Sequence, residues 1–341
     1  MISLQDLKKW LNHFDTSSLG LQSREYLDQA ADDQTPSVTR HVVLEKLLEH
    51  ARASLKPLEY AEASFMAGII FMQKEGDCRH AQAAFERALE GFAGDEHRRA
   101  VALWAAGMME RKNLQPGAGY RSWQMAYEIF DSIANRHKLA GQAERLQLAP
   151  WYRERADRMQ KEIALTAEYG YTLLDRFEPS PLDEISKALV RKAIQLTDRQ
   201  QYASAYAVLG QVRKHSRLAG DYLNTPAGLL ECGLVCYQAG FQEAACEFLR
   251  EAIEKYPPLS HRQAAASWMY GCMLAGDVDH LGEIDLALSA LKKALEIFAY
   301  LEKRSTEQNL NKKMSWYTQQ RKLLEAAYQA AVRDWISSVE G

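Results

Sequence analysis

A pattern of small and large apolar positions recurs along this chain at intervals of 38 to 40 residues. Each copy begins with a small residue. A second small residue follows twelve to sixteen positions later, and a large and then a small residue come after it in the sequence. The clearest copy contains Gly233, Ala245, Leu249 and Ala252. The spacing inside each segment is helical, and a fixed interval of this size predicts stacked supersecondary units. No segment of useful length alternates apolar and polar residues as a strand does, so the sequence predicts an all-α fold.

The small residues of the pattern predict the places where two helices cross closely. Gly or Ala at a crossing lets the backbones approach, and the large residue fills the space beside them. Further copies begin at Gly68, Gly107, Ala193 and Gly271. All nine prolines fall at the edges of the apolar segments, where a missing backbone N–H costs little. The chain is therefore expected to form a series of antiparallel helix pairs.

Residues 226–259 resemble the tetratricopeptide repeat, or TPR, which is a pair of antiparallel helices. Its characteristic positions are occupied here by Gly233, Ala245, Leu249, Ala252 and Pro257. The resemblance covers most of residues 58–305, although the interval exceeds the repeat length of about 34 that is usual in this family. It implies a right-handed α-solenoid of antiparallel helix pairs, a TPR-like superhelix. A longer interval is typical of bacterial members, and the family usually recognises other macromolecules.

Three segments are predicted along the chain. Residues 1–57 form an N-terminal helical cap, residues 58–178 a first TPR-like array, and residues 182–337 a second one. Each array is expected to end in a long helix, because the pair Trp151-Tyr152 returns 165 positions later as Trp316-Tyr317. This recurrence predicts that the two arrays are copies of one ancestral unit.

Composition narrows the classes of partner. Of the 341 residues 47% are hydrophobic, which is enough for a continuous core, and the net charge of −3 disfavours bulk attraction to nucleic acid or to a membrane. The first ten residues include Asp6, Lys8 and Lys9 and no apolar run, so no signal peptide is predicted. The five cysteines fall mostly at small or apolar helical positions and are expected to be reduced in a cytoplasmic protein.

The resemblance also implies a binding groove. In the family, the first helix of each unit lines a concave surface. The corresponding positions here are Phe65, Ile69, Met72, Trp104, Met108, Arg111, Lys112, Leu230, Leu234, Tyr237 and Trp268. Aromatic, Met and Arg side chains of this kind dominate the energetics of interfaces. A second interpretation stays open, because a longer repeat interval tightens the superhelix and would bury these side chains as core.

Basic residues concentrate near the end of the chain. Residues 292–322 contain eight basic and three acidic side chains. The predicted basic surface consists of Lys303, Arg304, Lys312, Lys313, Arg321 and Lys322. Such a surface fits an acidic protein partner, and it is the only region that would favour nucleic acid. The alternative is an ordinary solvated helix face.

No motif predicts catalysis, and neither a cofactor nor a metal site is expected. Cys232 and Cys236 lie one helical turn apart but lack a second ligand pair, so they are interpreted as structural. A charged helix face holds His41, Glu45, Glu49 and the adjoining His50, and a solvated face is preferred to a cation site. An inserted loop carries Asp277, Asp279 and His280 without a partner residue that would define a chemistry.

The sequence as a whole predicts a non-enzymatic interaction protein. It would serve as a scaffold, an adaptor or an inhibitory partner that binds a peptide or a helix of another protein in its groove. The alternative is a peptide-responsive regulatory sensor of a bacterial signalling or defence system, with residues 1–57 as its output module.

Overall fold

The computed structural model describes residues 2–14, 16–112, 116–139, 143–177, 179–219, 221–275 and 284–340. Within these residues the chain forms sixteen α-helices and no β-strand, which confirms the all-α prediction. The first eight helices are α1 (Leu4–Leu11), α2 (Leu21–Ala31), α3 (Ser37–Ala53), α4 (Pro57–Ile70), α5 (Cys78–Gly91), α6 (Glu96–Lys112), α7 (Pro116–Leu139) and α8 (Ala143–Ala164). A π-helical turn, Phe71–Glu75, extends α4.

The remaining helices follow in the second half of the chain. They are α9 (Ala167–Thr172), α10 (Glu184–Asp198), α11 (Tyr202–Leu218), α12 (Asn224–Gln238), α13 (Gln242–Lys255), α14 (His261–Ala275), α15 (Ile284–Glu307) and α16 (Asn311–Glu340). Among the described residues, none of the helices combines the length and the apolar character that crossing a lipid bilayer requires.

The chain divides into two compact units, an N-terminal unit of Ile2–Gln160 and a C-terminal unit of Lys161–Gly341. This division falls within α8, whereas the sequence pattern places its main break near Pro179 and Pro181. Residues of the predicted cap belong to the N-terminal unit, where α1 packs on α6, and α2 and α3 pack on α4.

Close helix crossings occur at the small residues of the sequence pattern. In the N-terminal unit, a Cβ atom placed on Gly107 of α6 would lie 2.5 Å from Cδ1 of Trp123 on α7. In the C-terminal unit, a Cβ atom on Gly271 of α14 would lie 2.6 Å from the Leu291 side chain on α15. These distances are far below van der Waals contact, so glycine is required for the observed spacing of the two helices.

A cluster of aromatic rings closes the core of the N-terminal unit. His97, in the first turn of α6, directs Nε2 to the carbonyl oxygen of Trp10 at 2.7 Å and Nδ1 to the Tyr152 hydroxyl at 3.1 Å. The Phe130 ring lies 5.8 Å from the His97 ring and 5.5 Å from the Tyr152 ring. The Trp151-Tyr152 pair of α8 therefore belongs to this core, where its rings join α8 to α1, α6 and α7.

The C-terminal unit repeats this cluster with its own residues. His261, which begins α14, lies with Nδ1 3.4 Å from the Tyr317 hydroxyl, and its Nε2 contacts the carbonyl oxygen of Leu173. Phe298 takes the position of the N-terminal phenylalanine, 6.1 Å from both the His261 and the Tyr317 rings. Equivalent residues stand 163 to 168 positions apart in the sequence. The recurrence of Trp-Tyr in the sequence thus reflects one core design that is used twice.

The crossing at Gly271 gives a first test of this packing. Gly271→Ala should lower the free energy of unfolding by about 2 kcal/mol, because the new methyl group meets Leu291 in a filled core. Gly210→Ala is the matched control, since Gly210 lies in the exposed interior of α11 with open space around its Cα. There the substitution should raise stability by up to about 1 kcal/mol. Urea unfolding followed by circular dichroism measures both values, and equal effects would contradict the close crossing.

Candidate functional site

Most residues of the predicted groove lie in the cores of the two units. Those with less than a tenth of their surface exposed are Phe65, Ile69, Met72, Trp104, Leu230, Leu234 and Trp268. Trp268 donates its indole N–H to the carbonyl oxygen of Ala164 at 2.6 Å, and the Trp104 ring stacks on Trp123 with centroids 4.7 Å apart. These seven side chains are therefore buried in this structure, as the second interpretation of the sequence expected, although no tightened superhelix is needed to account for it.

The physical reason is a set of additional helices. The predicted groove face belongs to α4, α6, α12 and α14. In the N-terminal unit, α1 packs against α6 and α2 against α4. In the C-terminal unit, α9 packs against α14 and α10 against α12. These helices therefore lie against the ones that carry the predicted groove positions, and apolar surface buried between helices stabilises the fold.

The remaining groove positions stay partly accessible. Met108, Arg111 and Tyr237 are half-buried, and Lys112 is exposed. The Arg111 guanidinium lies 5.1 Å from the centre of the Trp123 ring, so it is held by a cation–π contact. These four residues no longer form the continuous apolar groove that the resemblance implies.

The predicted basic surface is partly used by contacts within the C-terminal unit. Arg321 donates from Nε to Glu302 at 2.6 Å and from Nη1 to Glu325 at 3.2 Å. Lys313 places Nζ 5.3 Å from the centre of the Phe177 ring. The four basic side chains left exposed are Lys303, Arg304, Lys312 and Lys322. Their charge is available to solvent or to an acidic partner, but it is smaller than the sequence count implies.

An exposed group of aromatic side chains lies on the C-terminal unit. Tyr202 and Tyr206 stand one turn apart on α11, and Phe241 directly precedes α13. The Phe241 ring lies 5.7 Å from the Tyr202 ring and 6.4 Å from the Tyr206 ring. The three residues are 38%, 52% and 39% exposed in chain order. We call this group the aromatic patch. The aromatic patch is not predictable from the sequence, because a four-residue spacing shows a shared helix face but not whether that face is exposed.

Of the other polar candidates, three lie exposed on α3 and three lie outside the described residues. Glu45, Glu49 and His50 are exposed on α3, and none of them belongs to a group of close metal-ligating atoms among the described residues. The residues of the inserted loop, Asp277, Asp279 and His280, lie outside the described residues.

The two cysteines of α12 are buried and protonated. Cys232 and Cys236 are completely buried on α12, and burial raises the pKa of Cys236 to about 12 and that of Cys232 further. Both thiols are therefore protonated at neutral pH and lack the thiolate that metal binding or nucleophilic attack requires. The Cys232 thiol donates to the carbonyl oxygen of Leu209 at 3.6 Å.

One carboxyl group in the C-terminal unit has an unusual protonation equilibrium. Glu231 of α12 is half-buried and accepts a hydrogen bond from the Tyr171 hydroxyl at 2.8 Å. Desolvation raises the pKa of Glu231 to about 7; the Tyr171 hydrogen bond opposes this, and the charge of Asp175 adds to it. A pKa that differs between the folded and the unfolded chain makes stability depend on pH.

Comparison with known proteins does not identify the chain. It matches no protein-family model and no curated protein.

Glu231 predicts a pH-dependent stability. Its pKa is higher in the folded state than the ordinary value near 4.5, so the folded protein binds more protons between about pH 4.5 and 7, and stability falls as pH rises through this window. Glu231→Gln should remove this pH-dependent part of the free energy of unfolding, which we expect to be on the order of 2 kcal/mol. Urea unfolding of both proteins at pH 5 and at pH 7.5 measures it. The prediction fails if the difference between the two proteins is the same at both pH values.

Proposed function

We propose that this chain is a non-enzymatic interaction protein of TPR-like α-solenoid type, which binds a peptide or a helix of another protein as a scaffold, an adaptor or an inhibitory partner. The observation that carries the proposal is the aromatic patch of Tyr202, Tyr206 and Phe241. Its three rings come from two separate elements and are each more than a third exposed.

The aromatic patch has the chemistry of an interface centre. Aromatic side chains bring a large contact area with few rotatable bonds. The tyrosine hydroxyl adds a group that can form a hydrogen bond with a polar group of the partner at the rim of the contact. The buried side of α11 is formed instead by Val208, Leu209 and Val212. Since these residues fill the core, the exposed rings are free to serve recognition without cost to the fold.

A helix with an apolar side chain on every turn fits this patch best, and an extended segment fits if its apolar side chains have a similar spacing. The two tyrosines of α11 stand four residues apart, so their rings present one ridge along the helix. Apolar side chains at i and i+4 of a partner helix have the same spacing and can pack between the tyrosine rings and Phe241.

The sensor alternative receives less support. It needs residues 1–57 as a separate output module, but α1, α2 and α3 pack on α4 and α6 inside the N-terminal unit. The proposal retains the cytoplasmic location that was expected from cysteine usage, and all five cysteines are free thiols.

Photocrosslinking tests the aromatic patch directly. A benzophenone amino acid placed at Tyr206 should crosslink a specific protein in the native host. The same probe at Tyr300 is the control, because Tyr300 is 42% exposed on α15, outside the patch. The expected result is a discrete crosslinked species from position 206 alone.

A double substitution gives the second part of the test. Tyr206→Ala with Phe241→Ala should reduce recovery of that partner at least tenfold while the helical circular dichroism signal and the melting temperature stay close to those of the wild type. Partner recovery that survives the double substitution, or equal crosslinking from position 300, would refute the aromatic patch as the binding surface.

A further inference from the structure

Two histidines and an aspartate meet at one corner of the N-terminal unit. His41 lies on α3, Asp77 caps α5, and His80 stands in the first turn of that helix. Their nearest nitrogen and oxygen atoms all lie within 4.8 Å of one another. The shared carboxylate oxygen, Asp77 Oδ2, is 2.6 Å from His80 Nδ1 and 3.5 Å from His41 Nε2.

The second polar atom of two of these residues is already engaged. Asp77 Oδ1 accepts the backbone N–H of His80 at 3.0 Å, which fixes the carboxylate and leaves Oδ2 directed at the rings. His41 Nδ1 lies 3.2 Å from the carbonyl oxygen of Ser37. Because a carbonyl oxygen only accepts, this contact places a proton on Nδ1, and the Nε2 lone pair of a neutral ring then faces Asp77 Oδ2. Two such lone pairs attract each other only through a cation or a further proton.

The surroundings hold both rings in place and leave one side open. The Phe71 ring lies 5.2 Å from each imidazole ring. The side chains of His41 and Asp77 are about a third and a quarter exposed, and that of His80 is 54% exposed. The adjacent Arg40 forms an ion pair with Glu75, so its positive charge is neutralised beside the cluster.

The C-terminal unit shows that the fold does not require these three residues. The inward positions of α3 and α11 follow the same order, Val43, Leu44 and Leu47 matching Val208, Leu209 and Val212. The turns before α5 and α13 both contain a glycine with positive φ, Gly76 at 62° and Gly240 at 79°. In this alignment His41, Asp77 and His80 correspond to Tyr206, Phe241 and Ala244. The same corner of the fold is therefore built without histidine or carboxylate.

We propose that His41, Asp77 and His80 form a binding site for a divalent transition-metal ion, with Zn²⁺ as the ion that the donors fit best. Imidazole nitrogen and carboxylate oxygen bind Zn²⁺ at about 2.0–2.2 Å, and three protein ligands leave a fourth position for water. Ca²⁺ and Mg²⁺ prefer an all-oxygen environment and fit this pair of imidazoles poorly.

Metal binding needs only small changes at the cluster. The ion takes the place of the proton between His80 Nδ1 and Asp77 Oδ2. A doubly protonated His80 ring releases that proton to solvent, and a singly protonated ring moves it to Nε2, so in both cases neutral His80 binds the ion through Nδ1 and keeps one proton on Nε2. The contact from His41 Nδ1 to the Ser37 carbonyl and that from Asp77 Oδ1 to the His80 amide stay as they are, and outer contacts of this kind orient metal ligands. The bound ion would connect α3 to the start of α5.

Zinc titration of the full, tag-free chain tests the site. Competition with a chromophoric chelator at pH 7.5 should give one Zn²⁺ per chain, and His41→Ala with His80→Ala should weaken binding at least tenfold. His215→Ala is the matched control, because His215 Nε2 lies 3.1 Å from Asp183 Oδ2. Among the described residues no third ligand joins that pair. This control should bind Zn²⁺ like the wild type.

A second variant separates loss of the site from loss of the fold. It replaces the three residues with those of the C-terminal unit, His41→Tyr, Asp77→Phe and His80→Ala, and should keep its helical circular dichroism signal. Zn²⁺ should raise the melting temperature of the wild type and leave that of this variant unchanged. Co²⁺ in place of Zn²⁺ should show the intense visible absorption of a four-coordinate site in the wild type alone. The proposal is overturned if the wild type binds no Zn²⁺, or if the double variant and the triple variant both bind it as tightly as the wild type.

Discussion

The close crossing of paired helices at small residues is the constraint on which both units depend. Gly68 on α4 and Gly233 on α12 leave no room for a Cβ atom beside Phe85 and Leu249, as Gly107 and Gly271 leave none in the following pairs. Each crossing holds two helices close together, and one large side chain fills the space between them beside the glycine. Once the pairs are fixed in this way, the aromatic clusters around His97 and His261 can close the cores.

The sequence predicted the helix pairs because this constraint is local. A Gly or Ala at the crossing and a large residue at the right spacing on the next helix are visible without knowledge of distant parts of the chain. The groove prediction depended on what covers the first helix of each pair. That cover comes from α1 and α2 in one unit and from α9 and α10 in the other, and hydrophobic periodicity does not distinguish a covered face from an open one.

The candidate sites were harder to predict for a related reason. His41 was visible as part of a charged helix face, but its neighbours in the structure, Asp77 and His80, follow more than thirty residues later. The turn at Gly76 brings them to α3, and no pattern within α3 records this contact. Tyr206 and Phe241 are separated in the same way. Contacts across a corner between helices are set by tertiary structure, whereas the pattern within one helix is set by its own period.

The two units differ in side-chain chemistry at an outer corner that their core packing does not constrain. Their inward positions match along α3 and α11, and in both units the chain reverses at a glycine with positive φ. The outward positions at this corner carry histidine and aspartate in one unit and exposed aromatic rings in the other. Because the helices are held from the core side, side chains on the outer side of the corner can change their chemistry without moving the backbone. The same frame thus carries two different surface chemistries at this corner, and each can be substituted independently of the other.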